Sequence, residues 1–188
     1  PETEELVQWV LQLANRHTAL KVLDIGTGSG CIAISLKKHL VNPDVSALDI
    51  SSKALAVAHQ NAISNGVDIL FFEHDILKDT VLASSPYDII ISNPPYITLK
   101  EKEEMHKNVL AHEPHIALFV SNEKPLVFYE AIADFSLKNL KEGGLLLFEI
   151  NEYLGKEMIQ LLTNKGFTNI VLKKDLQGKD RMIYGVKT

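Results

Sequence analysis

At 188 residues, with 46% apolar and 23% charged side chains, the chain can bury a substantial single core; this is a globular balance, not a disordered or fibrous one. Its formal net charge of −5 argues against a large nucleic-acid footprint, which needs a basic face, and no apolar run approaches the ~20 residues of a membrane span. The single cysteine, Cys31, excludes an internal disulfide and, with no secretory signal in view, leads us to expect a cytoplasmic protein; no methionine precedes Pro1, so a piece of a longer chain is expected.

In chain order, Glu2 to Asn15 places Leu6, Val7, Trp9, Val10 and Leu13 at helical spacing, with Thr3 as an N-cap, acids in the first turn and Trp9 as a core anchor. Lys21 to Ile25 predicts a strand, and Ile32 to Leu40 a crossover helix. Val45 to Ile50 is a second strand carrying Asp49. Ser51 or Ser52 caps a helix through about Ala62, closed by Asn65-Gly66. Ile69 to Glu73 is a third strand, followed by His74-Asp75, and Tyr87 to Ser92 a fourth, ending in Asn93-Pro94-Pro95-Tyr96. Thr98 to Pro125 has no strong periodicity and is long for a connection, which marks a functional insertion; Lys100 to Glu104 is its solvated face. Leu126 to Leu140 reads as a helix. Gly143-Gly144 punctuates before a fifth strand, Leu145 to Ile150. A helix from Tyr153 to Lys165 ends at Gly166. Thr168 to Lys173 and Met182 to Val186 are two last strands around a polar turn, Asp175 to Asp180. Strands alternating with helices predict a doubly wound, Rossmann-like α/β fold with a mostly parallel seven-stranded sheet. The last two strands are joined too tightly for parallel pairing, so they form an antiparallel hairpin. One domain spans residues 1–188.

The first strand runs into Asp24-Ile25-Gly26-Thr27-Gly28-Ser29-Gly30. The spacing is G-x-G-x-G; a dinucleotide fingerprint would need glycine at position 31, held by Cys31, and the lysine of a P-loop is missing. A tight turn between strand and helix with no ligand would have the same local signature. Asp24, Asp49, Asp75 and Asn93 all fall just past the carboxyl ends of predicted strands, the edge where open α/β sheets bind ligands. Asp49 lies about twenty residues beyond the glycine turn, where an acid can bond ribose hydroxyls. Asp75 is placed to accept from an amino group such as that of adenine. Taken singly, Asp49 is a helix N-terminal acid and Asp75 a turn residue. Together they suit an adenosine ligand without a phosphate chain, such as S-adenosylmethionine, whose cationic sulfonium acids would complement. Ile50 and Ile76, each following one of these acids, complete the expected cofactor contacts.

In Asn93-Pro94-Pro95-Tyr96 the prolines remove backbone donors. The amide oxygen of Asn93 and the carbonyl of Pro94 can accept both protons of a planar NH₂ group, and Tyr96 can stack on its plane. Such a nitrogen is a poor nucleophile because its lone pair is delocalised. Two acceptors hold it in line and favour the transition state in which it gains positive charge. A proline-rich turn closing a strand is the plain alternative.

The glycine turn with Asn93-Pro94-Pro95-Tyr96 resembles the class I S-adenosylmethionine-dependent methyltransferases that act on planar amino nitrogens. The finer resemblance is to the peptide chain release factor glutamine methyltransferases. Pro1-Glu2-Thr3-Glu4 is similar to the segment opening their catalytic domain, and His112-Glu113-Pro114 with Ala117-Leu118-Phe119 to their loop after the catalytic turn. Glu149-Ile150 and Asp175-Leu176-Gln177-Gly178-Lys179-Asp180-Arg181 are similar to their C-terminal signatures. The resemblance implies a class I methyltransferase fold, S-adenosylmethionine bound by Gly26 to Gly30, Asp49 and Asn93, and a release-factor glutamine held by Asn93 to Tyr96. The family's aromatic residue after the third-strand acid is Ile76 here, and no counterpart of its helical N-terminal domain is expected within residues 1–188. Monomer is the expected state and no metal is expected: His112 and His115 flank a proline, and His106 stands apart. Cys31 is expected as a small buried residue under the turn. A nucleic-acid adenine methyltransferase would need a basic channel, whereas 24 acids exceed 19 lysines and arginines. A non-catalytic binding module is opposed by the intact Asn93 to Tyr96 turn.

Overall fold

The computed structural model describes residues 2–14, 19–78, 82, 86–95, 97–98, 119–120 and 126–188. Nine strands and five helices lie among the described residues. In chain order they are α1 (Glu2–Leu13), β1 (Lys21–Ile25), α2 (Cys31–His39), β2 (Asp44–Asp49), α3 (Ser52–Ser64), β3 (Leu70–Glu73) and β4 (Tyr87–Ser92). There follow β5 (Ile97–Thr98), β6 (Phe119–Val120), α4 (Val127–Asn139), β7 (Leu140–Glu149), α5 (Gly155–Asn164), β8 (Thr168–Lys174) and β9 (Asp180–Val186). Seven strands form one sheet in the order β3-β2-β1-β4-β7-β9-β8, and β5 pairs with β6 in a separate parallel ladder. The pairings from β3 to β7 are parallel; β9 runs antiparallel to both β7 and β8. This is the Rossmann-like fold and the C-terminal hairpin expected from the sequence.

Helices cover both faces of the sheet, which is why its central strands are nearly unbroken apolar runs. Side chains alternate between faces. Val22, Ile89, Ile91, Leu147 and Met182 pack with Leu6 and Val10 of α1 and with Ile32 and Leu36 of α2. Leu23, Ile25, Ile90 and Phe148 pack on the other side with Tyr129 and Ile132 of α4 and with Met158 and Leu162 of α5. Trp9 is buried, 5.1 Å from the ring of Tyr184, as the helical spacing implied.

The departures are local. Thr3 lies inside the first turn of α1 and its hydroxyl bonds Glu149, so it is not the N-cap. β7 begins at Leu140, directly after α4; Gly143-Gly144 lies inside it, where the Gly143 N–H donates to the Lys187 carbonyl and the Lys187 N–H to that of Gly144. Cys31 is exposed, not packed under the turn. That inner position belongs to Gly30, where a Cβ would lie 3.1 Å from the Ala58 Cβ. The strand β6, and Thr98 of β5, fall within the stretch read as an insertion without strong periodicity. Most of that insertion, with Lys100 to Glu104, His106, His112 and His115, lies outside the described residues, as does Tyr96. No helix among the described residues is long and apolar enough to cross a membrane.

Candidate active site

From β1 the chain steps outward through β2 to β3, then returns to place β4 on the other side of β1. The direction of winding reverses between β1 and β4, so their carboxyl ends form the topological switch point, the place where α/β sheets seat ligands. Asp24, the turn from Gly26 to Gly30, Asp49 and Asn93 converge on it.

The turn is fixed by backbone bonds: the Gly26 and Thr27 N–H groups both donate to the Leu48 carbonyl, at 2.9 and 3.0 Å. Gly28 has φ of 55°, in the left-handed region that side chains resist, and nothing lies within 4 Å of where its Cβ would be. Bare backbone therefore faces open space. Asp49, half-buried, accepts from the Gly28 N–H on one oxygen and the Ser51 N–H on the other, both at 2.9 Å. Each carboxylate oxygen keeps further lone-pair capacity for a ligand hydroxyl. Ser51 caps α3, its hydroxyl oxygen accepting the Ala54 N–H at 3.2 Å.

Asp24 is fully buried. Its Oδ2 accepts the Thr27 hydroxyl at 2.6 Å and the Ala33 N–H at 3.3 Å, while its Oδ1 has no hydrogen-bond partner among the described residues. Burial pushes its carboxyl up to about 7, against the pull of those two hydrogen bonds, and the nearby Asp49 charge adds to the rise. A cation beside Oδ1 would ionise this group and satisfy it.

Asn93 follows β4, whose last residue is tied to β1 by the Ser92 hydroxyl donating to the Ile25 carbonyl at 2.7 Å. The Asn93 Oδ1 is buried and likewise lacks a partner among the described residues, and Pro94 beside it is buried. Leaving a buried acceptor unmet costs about 1–3 kcal/mol, so this oxygen is available to a donor from outside the chain.

The other expected contacts are placed less directly. Ile50 is 59% exposed at the end of β2. Asp75 organises its own turn, accepting the Leu77 N–H at 3.1 Å, with Lys78 at 3.6 Å. Ile76 is partly buried against the α4 side of the core. Ser29 presents its carbonyl to the Asn61 side chain.

The signature Asp175 to Arg181 forms a self-tied turn between β8 and β9. Asp175 accepts from the Gln177 and Lys179 N–H groups and from the Arg181 Nε, and these bonds, led by that from Lys179, hold its carboxyl below the usual range. Glu149 is the residue that sequence reasoning left without a role. It is an acid at the end of a buried strand, the same signal that marked Asp24 and Asp49. Among the described residues, no group of histidine, cysteine and acidic side chains could hold a metal ion.

Residues 6–118 match the family model described as "Methyltransferase small domain". The chain is 54% identical over 186 residues to the "Release factor glutamine methyltransferase" of Flavobacterium psychrophilum, and 45% identical over 183 residues to that of Bacteroides thetaiotaomicron. Each alignment covers 97% of this chain. It spans 65% of the length of these curated relatives. A ribosomal protein L11 methylase from Lactobacillus delbrueckii subsp. bulgaricus shares the fold with a TM-score of 0.70 at 23% identity, over 100% of this chain and 79% of that one. The magnesium protoporphyrin IX methyltransferase of Synechocystis, solved with bound S-adenosylmethionine, aligns with a TM-score of 0.61 at 19% identity, over 99% of this chain and 78% of that one.

Proposed function

The chain belongs to the methyltransferase small domain family, and from that premise we propose that it methylates the side-chain amide nitrogen of the glutamine in the glycine-glycine-glutamine motif of peptide chain release factors. The donor is S-adenosylmethionine, the setting the cytoplasm, and the partner a protein rather than a nucleic acid. The observation that carries the reading is the buried, unpartnered Asn93 Oδ1 at the end of β4, in a turn whose prolines offer no competing N–H.

The residues present fit the cofactor. Asp24 has a buried oxygen that a cation would satisfy, Asp49 keeps acceptor capacity at the end of β2, and Gly28 leaves backbone open beside them. When bound, S-adenosylmethionine supplies a methyl group carried on a sulfonium. Asn93 holds the target NH₂ by accepting one of its protons, and the Pro94 carbonyl is the second acceptor. These acceptors orient the nitrogen and favour the state in which it becomes positive as the new bond forms. The surplus proton leaves afterwards, so no residue need remove it in advance. The names borne by the relatives, at 45–54% identity over nearly all of this chain, support the choice of glutamine over adenine.

A methyl-transfer assay with labelled donor separates the substrates. Label should pass to an intact release factor, and not to its glutamine-to-alanine variant or to duplex DNA. Equal labelling of the two release factors, or preferential labelling of DNA, would overturn the substrate.

A further inference from the structure

Glu149 ends β7 with 2% of its surface exposed, and burying a carboxylate is costly enough that a purely packing position would take an apolar residue. Its orientation follows from the sheet. Leu147, two residues back, and Met182, its partner across β9, both pack on the face covered by α1. Glu149 therefore points to that face, as Asp24 and Asn93 do by the same alternation. In the β4–β7 ladder Ser92 stands beside Phe148, which places Glu149 next to Asn93. Along the carboxyl edge the order is Asp49 on β2, the glycine turn on β1, Asn93 on β4 and Glu149 on β7. Glu149 is thus on the far side of Asn93 from Asp49 and the glycine turn.

Its main chain is fixed independently of its side chain. The buried Tyr129 hydroxyl donates to its carbonyl at 3.4 Å from the opposite face, and the Ile150 N–H donates to Arg181 at 2.8 Å. The side chain is met by α1: the Thr3 hydroxyl donates to Glu149 Oε2 at 3.1 Å. Three residues further along, Leu6 is fully buried in the core beneath. The first turn of α1 is therefore drawn over the carboxyl edge at the strand next to Asn93.

We propose that the Thr3–Glu149 hydrogen bond is a latch that sets the substrate side of the site: both are positioning residues that hold the first turn of α1 beside Asn93 and so shape the pocket entered by the target amide. This rests on the reading of Asn93 as the group that holds that amide. In the strand order β4 separates the latch from the glycine turn and Asp49, so breaking it should change how the target is held far more than how the cofactor binds.

The test compares Thr3→Val, Thr3→Ser, Glu149→Ala and Glu149→Gln with the unaltered protein, on an intact release factor. S-adenosylmethionine affinity is measured by calorimetry and thermal stability alongside. Thr3→Val and Glu149→Ala should lower kcat/KM roughly tenfold or more, the scale of a lost hydrogen bond to a charged group, with cofactor affinity within about twofold. Thr3→Ser keeps the donor and Glu149→Gln an acceptor, so both should recover most of the loss. Unchanged kcat/KM in Thr3→Val would overturn the latch. So would a loss of cofactor affinity that matches the loss of turnover, or a failure of both conservative variants to restore activity in a folded protein. An unaltered protein that binds the cofactor yet leaves the release factor unlabelled would instead refute the substrate reading.

Discussion

Asn93→Ala is expected to lower methyl transfer roughly 10²–10³-fold, the range seen when one oriented polar group is removed from a developing charge. The loss should fall on kcat as well as kcat/KM, because the interaction strengthens as the target nitrogen becomes positive. Stability should move the other way or not at all. The Asn93 Oδ1 has no partner to lose, so deleting it removes an unmet buried acceptor from the folded state. Urea unfolding should place the variant within about 1 kcal/mol of the parent. The combination is diagnostic: a residue that merely closed a strand would cost stability and spare turnover. Near-normal rates in the variant would count decisively against an amide-holding role.

The second large effect is on stability against pH, and it comes from Asp24. In the folded protein its carboxyl titrates at about 7, against 3.8 for an unperturbed aspartate, because it is buried. Between these values the folded state holds a proton that the unfolded chain has released. Stability therefore falls as pH rises through that window and levels off above about 7. Some three pH units of difference correspond to an effect on the order of 4 kcal/mol. Asn in place of Asp keeps the shape and the acceptor for Thr27 but does not titrate. Subtracting the Asp24→Asn curve from the parent's, by urea unfolding at about pH 5 and about pH 8, should isolate roughly 2–3 kcal/mol of that effect, with the parent losing stability toward the higher pH. A difference that stays flat, or slopes the other way, would show that Asp24 is ionised throughout. A cationic ligand beside Oδ1 should reduce the slope by ionising Asp24 in the folded state as well.

Much of this arrangement was legible in the sequence because it rests on local rules. Apart from Asp24, the stretches Val22 to Ile25 and Ile89 to Ile91 put apolar side chains on both faces, which only a sheet covered on two faces requires, and each runs on into a polar turn at the edge where such sheets seat ligands. The short polar connection before Met182 forced an antiparallel hairpin, and β8 and β9 form one. What escaped depends on contacts between distant residues. Thr3 looks like a helix cap until a carboxylate 146 residues away takes its hydroxyl. Gly143-Gly144 looks like a break until the end of the chain pairs with it and keeps it in β7. Cys31 looks like a buried small residue, but the close approach of α2 to α3 is made at Gly30. Asp49 is marked by its position as a ligand acid, and position alone does not reveal that it also braces the glycine turn through the Gly28 N–H.

The proposed reaction delivers a methyl group to one glutamine nitrogen. The most direct measurement is mass spectrometry of an intact release factor after incubation with the protein and S-adenosylmethionine, followed by digestion and fragmentation of the peptide that carries the glycine-glycine-glutamine motif. The expected result is a single added methyl group on the side-chain amide of that glutamine, absent when Asn93→Ala replaces the parent. A methyl group at any other position, or an unmodified peptide from an enzyme that binds the cofactor, would contradict it.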